Sequence, residues 1–273
     1  MRGRRRAKSL GEHAIAILAE TKNGRLCVQA GDFNVSRSLL EHGEYDWPQI
    51  TWLRRLLDAD SRVVFAGAHI GAVLIPLALI SGTRSIVAYE PSPCNFRLLI
   101  LNLRLNGIAG VTAVNSALGD RAGSIQFTEN HINTGNSRIA PADGEINVSL
   151  VTLDATAPAD WASIDLIVMD TEGSEVAAMR GAQMSLAKTK NLYVEFSPEQ
   201  LREQGSSATE FVETVARHFK SAYVFGDSIL FLAPGQVADH LKGLQRRRSL
   251  LLNLLFTQDI AADPRRMVHP CGP

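Results

Sequence analysis

After residue 60 the chain settles into one rhythm, and that rhythm constrains its fold more than any single motif. Short apolar runs, "RVVFA" (62–66), "RSIVAYE" (84–90), "IDLIVMD" (164–170) and "KNLYVEF" (190–196), read as strands. Between them lie longer stretches of helical character: "GAVLIPLALISG" (71–82), "SPCNFRLLILNLRLNG" (92–107), "SEVAAMRGAQMSLAK" (174–188) and "ATEFVETVARHF" (208–219). Gly82 and Gly107 supply stop signals for the first two helices. Continuously apolar strands alternating with helices require a mostly parallel sheet covered on both faces, an α/β architecture.

The remaining segments decorate that sheet. "GVTAVNSAL" (110–118) reads as a third strand, and "GSIQFTEN" and "INVSLVTLD" as strands around a polar loop, "HINTGNSRIAPADGE". "SAYVF" and "SILFLA" flank Gly226-Asp227 as a closing antiparallel hairpin. Residues 13–30 alternate around Asn23-Gly24, the signature of a small N-terminal β-hairpin, and Ile50, Leu53, Leu56 and Leu57 have helical spacing. Residues 236–256 read as one or two helices and "DPRRMVHPCGP" as a loose tail. These features divide the chain into an N-terminal β element with a lid and helix region (1–60), a core (61–235), and a C-terminal helical extension with its tail (236–273).

Composition narrows the partners. Twenty-eight Lys and Arg balance twenty-eight Asp and Glu over 273 residues, so no net field favours nucleic acid or an anionic membrane surface. The basic ends (Arg2, Arg4, Arg5, Arg6 and Lys8; Arg246, Arg247 and Arg248) read as solvated. Cys27, Cys94 and Cys271 have neither disulfide nor zinc spacing, and no secretory signal or membrane span is evident; the expected location is the cytoplasm. Oligomeric state is not encoded in any feature of this kind.

The chemistry points to the carboxyl ends of the strands, where ligands bind in open α/β sheets. The loop "AGAHIG" after the first core strand places Gly67 and Gly71 where the backbone can approach a ligand and helix N–H groups are free. Glu90 ends the next strand, about 20 residues on, where an acid can accept from both ribose hydroxyls. The phosphate-binding G-x-G-x-x-G is missing. A nucleoside cofactor without phosphates fits this pattern, and a nicotinamide dinucleotide does not.

The ordered series "VVFAGAHIG", "VAYEPSP", "LRLNG", "VNSALGD", "NTGNSRI", "VTLD" and "MDTEGSE" resembles the FkbM-type S-adenosylmethionine-dependent methyltransferases over about residues 40–200. The resemblance implies a Rossmann-like class I methyltransferase fold with a seven-stranded, mostly parallel sheet, and methyl transfer to a hydroxyl on a small polyhydroxylated molecule, a sugar or natural product. It implies that Gly67, Ala68, His69 and Gly71 line the methionine and ribose part of S-adenosylmethionine, that Glu90 holds the ribose hydroxyls, and that Ser116 and Ala117 lie against the adenine. Asp170 and Glu172 would face the reacting centre.

Two positions depart from the family pattern: Phe65 stands where an acid is usual, and His69 where an Asn is usual. Asp170 is a substitute partner for the cofactor's ammonium group. Phe65 also motivates a different reading, a degenerate methyltransferase fold kept as a non-catalytic binding module. For the general base, Glu172 ranks first, with Asp170, Glu195 and His131 as other candidates; capping the helix near Ser174 is the structural alternative for Glu172. A cation held by Asp170, Glu172, Glu175 and Glu195 is a minor reading, and no metal is expected. Arg138 is a candidate for a substrate anion, and Tyr45, Asp46 and Trp47 for a lid.

Overall fold

The computed structural model describes residues 16–140, 144–226, 228–244, 247 and 249–258. The basic N-terminal stretch, Arg246, Arg248, Cys271 and the tail after Gln258 lie outside the described residues. Eight strands form the main sheet: β3 (Arg62–Ala66), β4 (Ser85–Tyr89), β5 (Val111–Val114), β10 (Ile164–Met169), β11 (Thr189–Phe196), β12 (Ser221–Phe225), β13 (Ile229–Leu232) and β14 (Leu252–Thr257). Their order is β13-β12-β14-β11-β10-β3-β4-β5. From β11 through β5 all pairings are parallel, while β14 runs antiparallel to both β11 and β12.

Two sequence expectations change here. The sheet has eight strands rather than seven, and the segment read as helical through residue 256 is, among the described residues, helical only over Gln236–Leu244. Its remainder, Leu252–Thr257, is a strand inserted between β11 and β12. "LNLLFT" is nearly unbroken in apolar character, and such short runs do not distinguish a buried strand from a buried helix turn. The expected C-terminal helical extension therefore gives a strand to the main sheet. The hairpin of β12 and β13 forms as read.

Residue alternation along the strands builds a core on each face. Val63, Phe65, Ile86, Ala88, Val168 and Tyr193 pack on one side. They meet the N-terminal hairpin β1 (Ala16–Thr21) and β2 (Gly24–Gln29) and four helices: α1 (Val35–His42), α2 (Trp47–Leu53), α3 (Leu74–Ser81) and α4 (Pro93–Leu105). Val64, Val87, Tyr89, Ile167, Met169 and Val194 face the other side. There they meet α6 (Glu175–Arg180), α7 (Gln183–Ala187), α8 (Pro198–Glu203), α9 (Ala208–Ala216) and α10 (Gln236–Leu244), after the short α5 (Leu153–Thr156). The helix read across 174–188 is two, interrupted at Gly181. A second sheet, β6 (Ala117–Leu118), β9 (Ile146–Val151), β7 (Gly123–Thr128) and β8 (Arg138–Ile139), carries the polar loop.

The strand order fixes where a ligand can sit. From β3 the chain adds β4 and then β5 on one side, and later adds β10 on the other side of β3. The carboxyl ends of β3 and β10 flank this switch point, where helices diverge and leave a crevice.

Candidate active site

The loop after β3 is tied to its neighbours before any ligand is considered. Gly67 N and Ala68 N both donate to Tyr89 O, at 3.0 and 2.9 Å, and Asp170 N donates to Ala66 O at 2.9 Å. Gly67 has φ +84°, and a Cβ there would lie 1.8 Å from Asp170 O. Only glycine lets the two strand ends come this close. His69 is also left-handed (φ 51°), and its N–H donates to Glu90 Oε2 at 2.7 Å. Its ring Nε2 lies 2.9 Å from Thr134 Oγ1.

Glu90 is 4% exposed, and its other oxygen, Oε1, accepts from Ser92 N at 2.9 Å. Each oxygen thus accepts one backbone N–H, and a carboxylate has about four acceptor positions. Burial pushes the Glu90 carboxyl up to about 7, against the pull of these hydrogen bonds. Burial likewise lowers His69 to about 4, so its imidazole is neutral at pH 7 and is no general acid there. The polar loop is pinned beside it: Thr134 N donates to Asp32 Oδ1 at 3.0 Å, and Asn95 Nδ2 to Thr134 O at 3.3 Å.

These elements enclose a cavity of about 360 Å³ at the switch point, within the roughly 300–1,000 Å³ of small-molecule sites. Gly67, Ala68, His69, Glu90, Ser116, Ala117, Asp170 and Glu172 all line it. Gly71 does not; with φ +87°, its missing Cβ would press on Ile75 and Leu99 side chains at 3.0 Å, so it serves the turn into α3. His131 is exposed and is not among the lining residues. Arg138 is also exposed and outside the lining, though its charge acts on Glu172. Tyr45 and Asp46 line the cavity, while Trp47 packs against the core below.

The carboxylates divide their tasks. Glu175, not Glu172, organises the "DTEGSE" turn: its Oε1 accepts from Thr171 N at 3.0 Å, Thr171 Oγ1 at 3.0 Å and Gly173 N at 3.1 Å. Glu172 (φ 53°) instead turns to the cavity, with Oε2 accepting from Gln200 Nε2 at 2.6 Å. Burial, then repulsion from Asp170 and Glu175, raises Glu172 to about 9. Asp170 is solvent-accessible at the cavity wall yet crowded by protein on its other sides, which raises it to about 7, with repulsion from Glu175 and Asp46 adding to the effect. Burial also lifts Asp46 to about 6 and Glu195 well above the usual carboxylate range. Among the described residues, no group of three or more His, Cys, Asp or Glu side chains is placed to hold a metal ion.

Residues 66–223, more than half of the chain, match the family model described as the methyltransferase FkbM domain. The chain belongs to the FkbM methyltransferase family. A curated relative, the 2-O-methyltransferase NoeI of Sinorhizobium fredii, is 36% identical over 90 residues, 31% of this chain. That match spans 34% of the length of NoeI. Similar solved structures include the precorrin-6y C5,15-methyltransferase of Geobacter metallireducens (13% identity, TM-score 0.41, 77% of this chain and 87% of that one). Another is M. jannaschii TYW2, solved with AdoMet (10% identity, TM-score 0.44, 90% and 87%).

FkbM methyltransferases use S-adenosylmethionine, and the cavity fits that group. Glu90 keeps acceptor positions for a vicinal diol, Gly67 lines the cavity beside it, and the acidic wall suits a sulfonium and an ammonium. Ser174 is 4% exposed, lines the cavity, and has a buried Oγ without a hydrogen-bond partner, as do Gln49 and Glu195 at their Oε1 atoms. Buried acceptors left unpaired are costly unless a ligand or water satisfies them. Gln49, Ser174 and Asn253 line the cavity without having been singled out for it in the sequence: Ser174 lies within "MDTEGSE" but was read as a helix start, Gln49 sits in no motif, and Asn253 lay in the segment read as helix.

Proposed function

We propose that the chain transfers a methyl group from S-adenosylmethionine to a hydroxyl oxygen of a small polyhydroxylated molecule, a sugar or natural product. The observation that carries this reading is the row of groups along one sheet edge. Glu90, Gly67 and Asp170 with Glu172, from three adjacent strand ends, open on a single cavity. The similarity to NoeI, a 2-O-methyltransferase, supports oxygen as the acceptor atom.

In this reading Glu90 accepts the ribose hydroxyls, Ser116 and Ala117 flank the adenine, and Ala68 and His69 line the methionine end. Bound there, S-adenosylmethionine supplies a methyl group activated by its sulfonium. Asp170, at the end of the strand that flanks the Gly67 loop opposite Glu90, offsets the cofactor's ammonium, the role left open by Phe65. Holding acceptor and methyl in line removes much of the entropic barrier. The acceptor oxygen would form its C–O bond to the methyl group as the thioether leaves with the C–S electron pair. The hydroxyl proton passes to Glu172, whose Oε2 is held by Gln200 and whose Oε1 is left for it. A carboxyl raised to about 9 is a poor base when alone; adjacent positive charge favours its ionised form.

The reading is tested by incubating the protein with S-adenosylmethionine and a panel of sugars and polyols, scored by mass spectrometry for the gain of one methyl group. A product methylated on oxygen supports it. Methylation confined to nitrogen or carbon acceptors would overturn it.

A further inference from the structure

The cavity extends past the positions that a cofactor would occupy. Along the sheet edge the strand order β4, β3, β10, β11, β14 brings Glu90, Gly67, Asp170, Glu195 and Asn253 into sequence, and Glu195 and Asn253 are register partners. Adjacent strands lie ~4.8 Å apart, so Glu195 stands roughly 14 Å from Glu90, three strands along. With the ribose at Glu90 and the methyl near Asp170, the Glu195 end is the acceptor's.

Two features of the cavity are unusual. It holds oxygens without hydrogen-bond partners: Glu195 Oε1 and Gln49 Oε1 are buried and unpaired, as is the Oγ of nearly inaccessible Ser174, and all three residues line the cavity. Its charge is also one-sided. Asp46, Glu90, Asp170, Glu172 and Glu195 line the cavity, and no Lys or Arg does among the described residues. A bound S-adenosylmethionine brings a sulfonium, an ammonium and a carboxylate, a net charge of only one. Carboxyls that crowd one another without a cation ionise only as positive charge is brought to them; a neutral polyol brings none and an anionic sugar opposes it, whereas a second cation suits the carboxyls that the cofactor leaves unpaired.

Resting on the O-methyltransferase reading, we infer that the acceptor is a polyol bearing a protonated primary amine, of the amino-sugar or aminocyclitol class. Its ammonium is held by Glu195, Asp46 and Gln49, and its neighbouring hydroxyl faces Glu172. An ammonium offers three donors and one charge, matching the unpaired oxygens and the acidic wall together.

The test is calorimetric titration of the protein saturated with S-adenosylhomocysteine, at about pH 7, where these amines are largely protonated. The probes are D-glucosamine and 2-deoxystreptamine against N-acetyl-D-glucosamine and D-glucose 6-phosphate. An amine probe is expected to bind at least about tenfold more tightly than the acetylated and phosphorylated sugars, as charge-assisted hydrogen bonds require. Glu195→Gln should shrink that preference to below about threefold while S-adenosylhomocysteine affinity is unchanged, with Asp46→Asn as a second variant should the first fail to fold. Equal or tighter binding of the acetylated or phosphorylated sugar, no binding of either amine, or a preference that survives in the folded variants would overturn the inference. Failure of S-adenosylhomocysteine itself to bind would instead refute the methyltransferase reading beneath it.

Discussion

Replacing Glu90 by Gln separates the two tasks that its carboxyl performs. Today one oxygen accepts from His69 N at 2.7 Å and the other from Ser92 N at 2.9 Å, and the group is 4% exposed. An amide has a single acceptor oxygen, so in either orientation one of these N–H groups faces an NH₂. A buried N–H without an acceptor costs about 1–3 kcal/mol, which for a chain of this size lowers Tm by roughly 2–10 °C. Part of that is offset because the amide carries no charge, and a carboxyl raised to about 7 marks its charge as unfavourable in the empty site. Binding should suffer more. A ribose diol loses one charge-assisted hydrogen bond, worth about 1.5–3 kcal/mol, which raises Kd about 10- to 150-fold. Calorimetry with S-adenosylhomocysteine, alongside thermal melts of both proteins, reads the two effects separately. A Tm loss with Kd changed less than about twofold would make Glu90 an organiser of the loop alone and refute the ribose assignment.

Other perturbations follow from the same geometry. Gly67→Ala places a methyl group 1.8 Å from Asp170 O at φ +84°; strain and overpacking together should cost about 2–5 kcal/mol, seen as a large Tm drop. Glu172→Gln should cut kcat about 100-fold or more while leaving S-adenosylhomocysteine affinity within about twofold, measured on the identified acceptor. Phe65 lines the cavity but is 2% exposed and packs in the apolar face of β3, so Phe65→Asp should destabilise the fold without tightening cofactor binding. Glu90 at about 7 and Glu172 at about 9 both have folded values raised above the ordinary carboxylate range. Stability from such groups is fully present below about pH 4.5 and is lost as pH rises through the folded values, so the ligand-free protein should melt at lower temperature at pH 9 than at pH 6. An unchanged or rising Tm over that window would contradict the crowded, cation-deficient cavity.

The strand and glycine patterns made the parallel half of the sheet and its ligand edge legible, because local periodicity and strand-end chemistry determine them. Gly67 and Glu90 were read this way, Asp170 and Glu172 came from the family resemblance, and all four line the cavity. Gly71 lies outside the cavity lining, and a glycine demanded by side-chain packing reads the same in sequence as one demanded by a ligand. Strand β14 escaped because its place between β11 and β12 is set by long-range pairing, which leaves no local mark in "LNLLFT". With it went Asn253, and the Gln49 wall was equally silent, since a helix-borne Gln signals nothing until the tertiary structure leaves its oxygen without a donor. The division of labour between Glu172 and Glu175 likewise depended on the turn closing in three dimensions.

The central claim is that the cavity at the switch point is a working S-adenosylmethionine site despite Phe65. Calorimetric titration of the unaltered protein with S-adenosylmethionine and S-adenosylhomocysteine tests it most directly. Saturable one-to-one binding in the micromolar range, lost in Gly67→Ala and weakened in Glu90→Gln, is the predicted result. No binding of either ligand at about 1 mM would contradict it.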